Sequence, residues 1–367
     1  MIWTENNIQR IVLDMASQVQ KTPASALSGL SVRTVDLADD LGMNSLSRMA
    51  LAAQVNEFFG LFQTSVANYL LTDSRLDHWT EKILRARREN DQNVVFLTSG
   101  TSGNPQRVRH AMAALIHEAN VLQQLVPRPA QVISTVPSHH IYGFLYTVVL
   151  PALWEVPVRS LSEVNGATLT SDSLIIGTPS TWEYMYRTLV GPGEMDCCGV
   201  CSTAPLSSSL FTKLTTGGIN LLDVYGSTDT GGIAFRRSPD ATFQLFSHVS
   251  LIGNPPSHVA IGENGDSFPL PDQIEHVSAR EIRVLKRHDG AIQIGGVNIS
   301  PAHIQTVVST CPLVAECDLY AKAVDGQCQL FCSIRLRNHT IQTEKACWDW
   351  LRTNLNEPEV PHRIQFY

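Results

Sequence analysis

The sequence predicts a multidomain protein: an N-terminal α-helical bundle, an α/β core and a small α+β C-terminal domain. Three observations carry this reading. Apolar residues recur at helical spacing through the first 86 residues. From Asn93 onward, short β-branched runs alternate with helical stretches. Past Ile282 the pattern turns to hairpin and then mixed, around an Asp-Gly pair that favours positive φ.

The 367 residues suffice for two or three domains. With 43% hydrophobic and 17% charged residues, the chain reads as folded rather than disordered. Its net charge of −7, without a dense Lys/Arg patch, argues against a nucleic-acid groove. The start, Met1-Ile2-Trp3-Thr4-Glu5, has no basic or apolar leader, and no apolar run approaches the roughly 18 residues of a membrane span. A soluble cytoplasmic protein is expected. The eight cysteines include a single C-x-x-C, Cys198 and Cys201, with no second pair at metal spacing. They read as reduced, packed thiols.

In residues 1–86, Ile8, Ile11, Val12, Met15 and Val19 form one helical stripe. Leu46, Met49 and Ala53 form a second, with Leu51, Val55 and Phe58 beside it; Leu76, Trp79 and Ile83 form a third. Arg85 to Gln92 is charged, lacks periodicity and reads as a linker. Beyond it come strand-like runs at 94–97, 131–136, 173–176 and 219–222, with helical stretches at 111–125 and 181–189.

The strongest local signal is Leu97-Thr98-Ser99-Gly100-Thr101-Ser102-Gly103-Asn104-Pro105, between a strand and a helix. Its glycines allow a tight turn, and its amides and hydroxyls offer donors to a phosphate. It lacks the Gly-Lys-Ser/Thr ending of a Walker loop. From these residues alone an ordinary polar loop fits equally well.

Further segments narrow this. Pro137-Ser138-His139-His140-Ile141-Tyr142-Gly143, Ser202-Thr203-Ala204-Pro205-Leu206, Asp223-Val224-Tyr225-Gly226-Ser227-Thr228-Asp229, Leu270-Pro271-Asp272, and Arg287-x-Asp289 with Gly296 follow in order. Together with the loop they resemble the acyl-adenylating (AMP-forming) ligase superfamily in a short form. The resemblance covers about the last three-quarters of the chain and implies ATP, AMP and Mg²⁺ as ligands. It implies that Thr98, Ser99, Gly100, Thr101, Ser102 and Gly103 hold phosphates. Thr203, Ala204, Pro205, Asp223, Tyr225 and Gly226 would form the adenine site, with Asp272 on the ribose. Thr228 would meet the α-phosphate, Asp229 would hold Mg²⁺, and Arg287 would meet ribose or phosphate oxygens. His140 would gate the acid pocket or thiol tunnel, and Asp289 would be the hinge. Amino-acid-activating members place an acid near His139 to Leu145. None stands there, so an aryl or acyl carboxylic acid is expected.

The N-terminal segment resembles a second family. Asp39-Asp40-Leu41-Gly42-Met43-Asn44-Ser45-Leu46 is similar to the acyl-carrier motif Asp-Leu-Gly-x-Asp-Ser-Leu. This implies 4′-phosphopantetheine on Ser45, a phosphopantetheinyl transferase as partner, and downstream acyl-accepting biosynthetic enzymes. Capping of a helix by Asn44 or Ser45 is the plainer reading and is compatible with modification. The expected domains are a carrier at 1–86, a ligase core at 93–288 and a small ligase domain at 289–367.

The chain departs from the ligase pattern in several places. Few residues precede the phosphate loop, so the pocket wall must be rebuilt, for instance by a homodimer. Asp229 stands for glutamate; Gln106 and Gln293 stand for lysines, with Arg107 and Arg109 as compensating charges. No Gly-Lys motif follows Phe366, which reads as a sequence cut short ahead of it. Asn44 stands for the carrier's aspartate, and Arg48 makes its helix less acidic. The expected activity is formation of acyl-AMP and transfer to the chain's own carrier thiol. The alternatives are a carboxylic acid–CoA ligase and a non-catalytic carrier or docking protein.

Overall fold

The structure is a computed structural model that describes residues 2–22, 35–65, 70–98, 106–164, 171–190, 196–253, 259–261, 267–294, 297–324 and 327–367. Helix α1 (Glu5–Gln20) opens with a capping box: Thr4 accepts from the Asn7 amide, and the Asn7 side chain accepts from the Thr4 amide. Its Ile8, Ile11, Val12 and Met15 are buried, as their spacing predicts. Helix α2 (Ser45–Phe59) is capped by Asn44, which accepts from the Ser47 amide at 2.9 Å. Its buried face is Leu51, Val55, Phe58 and Phe59. The expected Leu46–Met49–Ala53 stripe instead faces outward, with Leu46 73% exposed. Helix α3 (Leu76–Glu89) buries Leu76, Trp79 and Ile83.

The expected linker at 85–92 is corrected. Helix α3 runs through most of it and buries Arg87. That guanidinium donates to the carbonyls of Phe59 (3.0 Å) and Asn93 (2.8 Å), pairs with Asp91, and lies 4.9 Å above the Trp3 ring. A charge run was read as solvated, but one charge in it is held by buried backbone acceptors.

The free-standing helical bundle is corrected for a related reason. Trp3 packs on both Phe59 and Phe144, and Arg10, Asp14 and Gln18 bond residues 138–147. The apolar residues of α1, α2 and α3 belong to the same core cluster as Val132, Phe144, Leu174 and Val224.

A hairpin follows, β1 (Asn93–Thr98) with β2 (Gln106–Ala111), in antiparallel register from Asn93↔Ala111 to Thr98↔Gln106. Then come α4 (Met112–Leu122), β3 (Gln131–Ser134) and α5 (Ile141–Phe144). A π-turn at Leu145–Val149 leads into α6 (Leu150–Trp154). Next are β4 (Val158–Ser160), β5 (Ser173–Gly177), α7 (Pro179–Met185), β6 (Cys197–Cys201), α8 (Ser208–Thr216), β7 (Ile219–Ser227), β8 (Gly231–Arg236) and β9 (Phe243–Leu245). Strands β10 (Ser250–Ile252), β11 (Val259–Ile261) and β12 (Ser267–Pro269) make a small antiparallel sheet. Strands β13 (Asp272–His276) and β14 (Glu281–Arg287) return to the main sheet.

That sheet, among the described residues, has the order β13-β14-β9-β8-β7-β6-β5-β3-β4. It is parallel from β4 to β7 and antiparallel beyond. One face carries the large core shared with α1–α3; the other carries Trp182, Phe211 and Leu214. The C-terminal region has its own core around Ile304, Val314, Ile334 and Leu351. It comprises β15 (Ile292–Ile294), β16 (Val297–Ile299), α9 (Pro301–Ser309), β17 (Val314–Val324), β18 (Gln327–Leu336), α10 (Ile341–Asn354) and β19 (Arg363–Phe366). The cysteines are free thiols; Cys197, Cys201, Cys311, Cys317, Cys332 and Cys347 are buried.

A shared core has a measurable consequence. Trp3→Ala is expected to cost about 3–5 kcal/mol and to lower one common denaturation midpoint. Two separate transitions, with only the first displaced, would restore an independent helical unit.

Candidate active site

The parallel strands β3, β5, β6 and β7 end on one side of the sheet, where ligands of such sheets collect. Pro137–Tyr142 follows β3, and Ser202–Leu206 follows β6. Tyr225 to Asp229 ends β7 and turns into β8. The Tyr142 hydroxyl fastens this side by donating to the carbonyls of Gly177 and Val200, each at 3.0 Å. Gly143 crosses so close to Pro137 that a Cβ would lie 1.9 Å from its carbonyl oxygen. Only glycine fits there.

His140 is solvent-accessible yet densely surrounded, as a side chain lining a recess is, and burial lowers its pKa. Its ring lies 4.4 Å from that of His139. His139 is pushed far down by burial and then by His140, so neutral imidazoles line this edge.

Thr203 occupies the position where the family motif carries glycine. Its φ is +80°, a region that costs a β-branched residue. Its hydroxyl is buried and has no hydrogen-bond partner among the described residues. Ala204 and Pro205 continue the segment at its surface.

The next three predicted residues form one connected line. The Tyr225 hydroxyl donates to Asp272 at 2.9 Å. Asp272 stands opposite Arg287 in the β13–β14 pairing. Arg287 grips Asp289 with two bonds, of 2.9 and 2.8 Å. Burial raises the Tyr225 phenol well above its usual range, and Asp272 raises it further, so it stays a neutral donor. Burial works to lower the Arg287 pKa, but Asp289 and Asp272 more than offset it. The bond from Arg287 holds the Asp289 carboxyl below its usual range. Asp289 is followed by Gly290 at φ +65°, the turn expected from the Asp-Gly pair.

Asp223 does not join this line. Its carboxylate is 4% exposed and accepts from Arg236 Nε at 2.7 Å. Arg236 stands directly opposite it in β8, so the pair braces the β7–β8 hairpin instead of facing a base. Burial raises the Asp223 pKa to about 6, against the pull of Arg236. Arg107 likewise does not compensate the phosphate region, because it pairs with Glu57 of α2 at 3.3 Å. Ser99 to Gly103 and Gly296 lie outside the described residues, as does the side chain of Thr98.

The turn carrying Thr228 and exposed Asp229 is gripped by two residues that the motif reading missed. His110, on β2, donates from Nε2 to the Thr228 carbonyl at 2.6 Å. Burial lowers its pKa, in keeping with a neutral donor. Glu118, on α4, accepts from the Gly232 amide at 2.8 Å. A Cβ on Gly231 or Gly232 would lie 2.5 or 2.6 Å from that carboxyl. A Cβ on Gly226 would lie 2.3 Å from the Gly231 carbonyl, so this bulged turn demands its glycines. The only sequence signal was a glutamate on an otherwise apolar helix following the loop.

Residues 34–261 match the model of a family described as AMP-binding enzyme. A 4-coumarate–CoA ligase of Rhodobacter capsulatus is 33% identical over 288 residues, spanning 75% of this chain and 73% of that protein. One from Halorhodospira halophila is 33% identical over 287 residues, 76% and 72% of the two chains. Among solved structures, an amide bond synthetase from Marinactinospora thermotolerans superposes with a TM-score of 0.65 at 14% identity. An o-succinylbenzoate CoA synthetase from Bacillus subtilis gives 0.62 at 16%. Each covers 76% of this chain, which spans 66% of theirs. These likenesses establish the α/β adenylate-forming ligase core.

Two measurements follow from this geometry. Thr203→Gly relieves the backbone strain and is expected to stabilise the fold by about 1 kcal/mol in chemical denaturation; an unchanged or lower stability would mean the strain is absent. Burial raises the Glu118 pKa from 4.5 to about 8. The native state therefore keeps a proton that the unfolded chain releases, and stability falls as pH rises through that window. Glu118→Gln should flatten this fall between pH 5 and about 8 in a series of denaturation midpoints.

Proposed function

The chain belongs to the AMP-binding enzyme family, and from that premise we propose that it is an acid–CoA ligase acting on an aryl carboxylic acid. The carboxylate oxygen attacks the α-phosphorus of ATP, the bond to pyrophosphate breaks, and acyl-AMP results. The thiol of coenzyme A then attacks the acyl carbon; AMP leaves and the thiol proton is released. The observation that carries the nucleotide part is the Tyr225–Asp272–Arg287–Asp289 line, set beside the Thr228–Asp229 turn.

Within this reading, Tyr225 offers an aromatic face to the adenine, and the second lone-pair set of Asp272 serves the ribose hydroxyls. Thr228 donates to the α-phosphate. No group of three or more metal-ligating side chains occurs among the described residues. A Mg²⁺ ion here fits a single carboxylate, Asp229, together with phosphate and water oxygens, the manner in which Mg²⁺ is usually held beside nucleotides. The ion would supply charge neutralisation at the phosphates.

Coenzyme A is favoured as acceptor over a thiol carried on Ser45. Ser45 is exposed at the start of α2, but α2 is packed into the ligase core. The family match beginning at residue 34 spans it as well. Curated relatives with aryl-acid names support an aryl substrate.

The test incubates the protein with ATP, Mg²⁺, coenzyme A and a panel of cinnamic and benzoic acids. Acid-dependent AMP and acyl-CoA, unchanged in Ser45→Ala, are expected. After treatment with a phosphopantetheinyl transferase, an acyl mass increment that Ser45→Ala abolishes would instead establish self-loading. No AMP from any acid would leave a binding role. Asp272→Ala is expected to lower kcat/KM for ATP about 10²-fold, measured as acid-dependent AMP release.

A further inference from the structure

Helix α1 presents a polar stripe with a repeat of four residues: Arg10, Asp14 and Gln18. This spacing stacks side chains on one helix face. All three reach a single segment, the one that follows β3 and holds His140. Asp14 Oδ2 accepts from the Ser138 amide at 2.7 Å and also from the Ser138 hydroxyl. Gln18 Oε1 accepts from His139 Nε2 at 3.0 Å. Arg10 donates to the Thr147 carbonyl.

Each contact answers a local need. Residues 138–140 precede α5, and Asp14 takes up an amide there. A π-turn frees carbonyls from the regular ladder, and Arg10 meets one inside Leu145–Val149. Gln18 fixes the ring of His139, which touches His140. Burial raises the Asp14 pKa, while Ser138 and Arg10 draw it back down. Burial lowers the Arg10 pKa to about 10, against the pull of Asp14 and Glu163. Partly desolvated charges of this kind are costly unless their partners are fixed in place.

We infer that α1 is a clamp for the acid-binding segment, with Asp14 and Gln18 as positioning residues that set His140 through Ser138 and His139. The link to substrate rests on the ligase reading above; the clamp itself does not. Without it, Pro137–Val149 would keep its apolar anchors, Tyr142 and Phe144, and lose the polar contacts that orient its N-terminal end.

The experiment compares wild type, Asp14→Ala, Asp14→Asn and Gln18→Ala by hydrogen-exchange mass spectrometry and by steady-state kinetics. Asp14→Ala should speed exchange in peptides covering 137–149 about tenfold, leaving those covering 219–236 unchanged. KM for the carboxylic acid should rise about tenfold and KM for ATP should stay within about twofold. Asp14→Asn, which keeps one acceptor oxygen, should recover part of both effects. Gln18 is exposed, so Gln18→Ala carries the test should Asp14→Ala not fold. Exchange that rises evenly over the chain, or not at all in 137–149, overturns the clamp. Local loosening with an unchanged acid KM overturns its role in positioning. If wild type activates no acid, the ligase reading fails while the exchange data still decide the clamp.

Discussion

Everything near the nucleotide side rests on one aromatic cluster. Trp3, Phe58, Phe59, Phe96 and Phe144 meet with ring centroids 5.3 Å (Trp3–Phe59), 4.9 Å (Phe58–Phe59), 5.5 Å (Phe58–Phe96) and 5.5 Å (Phe96–Phe144) apart. Such pairs add roughly 0.5–1.5 kcal/mol each beyond the area they bury. The five residues come from the segment before α1, from α2, from β1 and from α5. His110 lies edge-on to Phe96 at 5.7 Å, and its other side holds the Thr228 carbonyl. Contact is therefore continuous from the first residues to the turn bearing Asp229.

This continuity changes the meaning of the N-terminal helices. A carrier domain must leave its ligase to deliver an acyl group, which requires a small, polar interface. Here the interface is the interior itself, with buried Trp3, Ile8, Ile11 and Val12 on one side and Phe144 and Val148 on the other. Buried Arg87 ties the end of α3 to Phe59 and Asn93. The Asp-Leu-Gly-x-Asn-Ser-Leu likeness is short, and its Asn44 is occupied as a helix cap.

The α/β core was legible because its signals are local. Alternating β-branched runs mark β3, β5 and β7, and the Tyr225, Asp272 and Arg287 motifs fall where the strands bring them together. What escaped were pairings across long sequence separations. The partner of Asp223 stands opposite it in the next strand. His110 and Thr228 are 118 residues apart, and Asp14 and Ser138 are 124 apart. Periodicity marks which face of a helix is apolar but not what a polar stripe on it will meet. For that reason the Arg10–Asp14–Gln18 stripe and buried Arg87 both read as solvent-facing charge.

The crossing of Gly143 over the Pro137 carbonyl limits how substrate range can diversify. No side chain can be admitted there without moving backbone, and the neighbouring Tyr142 is committed to two strands through its hydroxyl. Acid selectivity in this scaffold must therefore be rewritten around a fixed rib, from His140 and from the walls facing it. A library that randomises the rib itself would mostly sample unfolded chains.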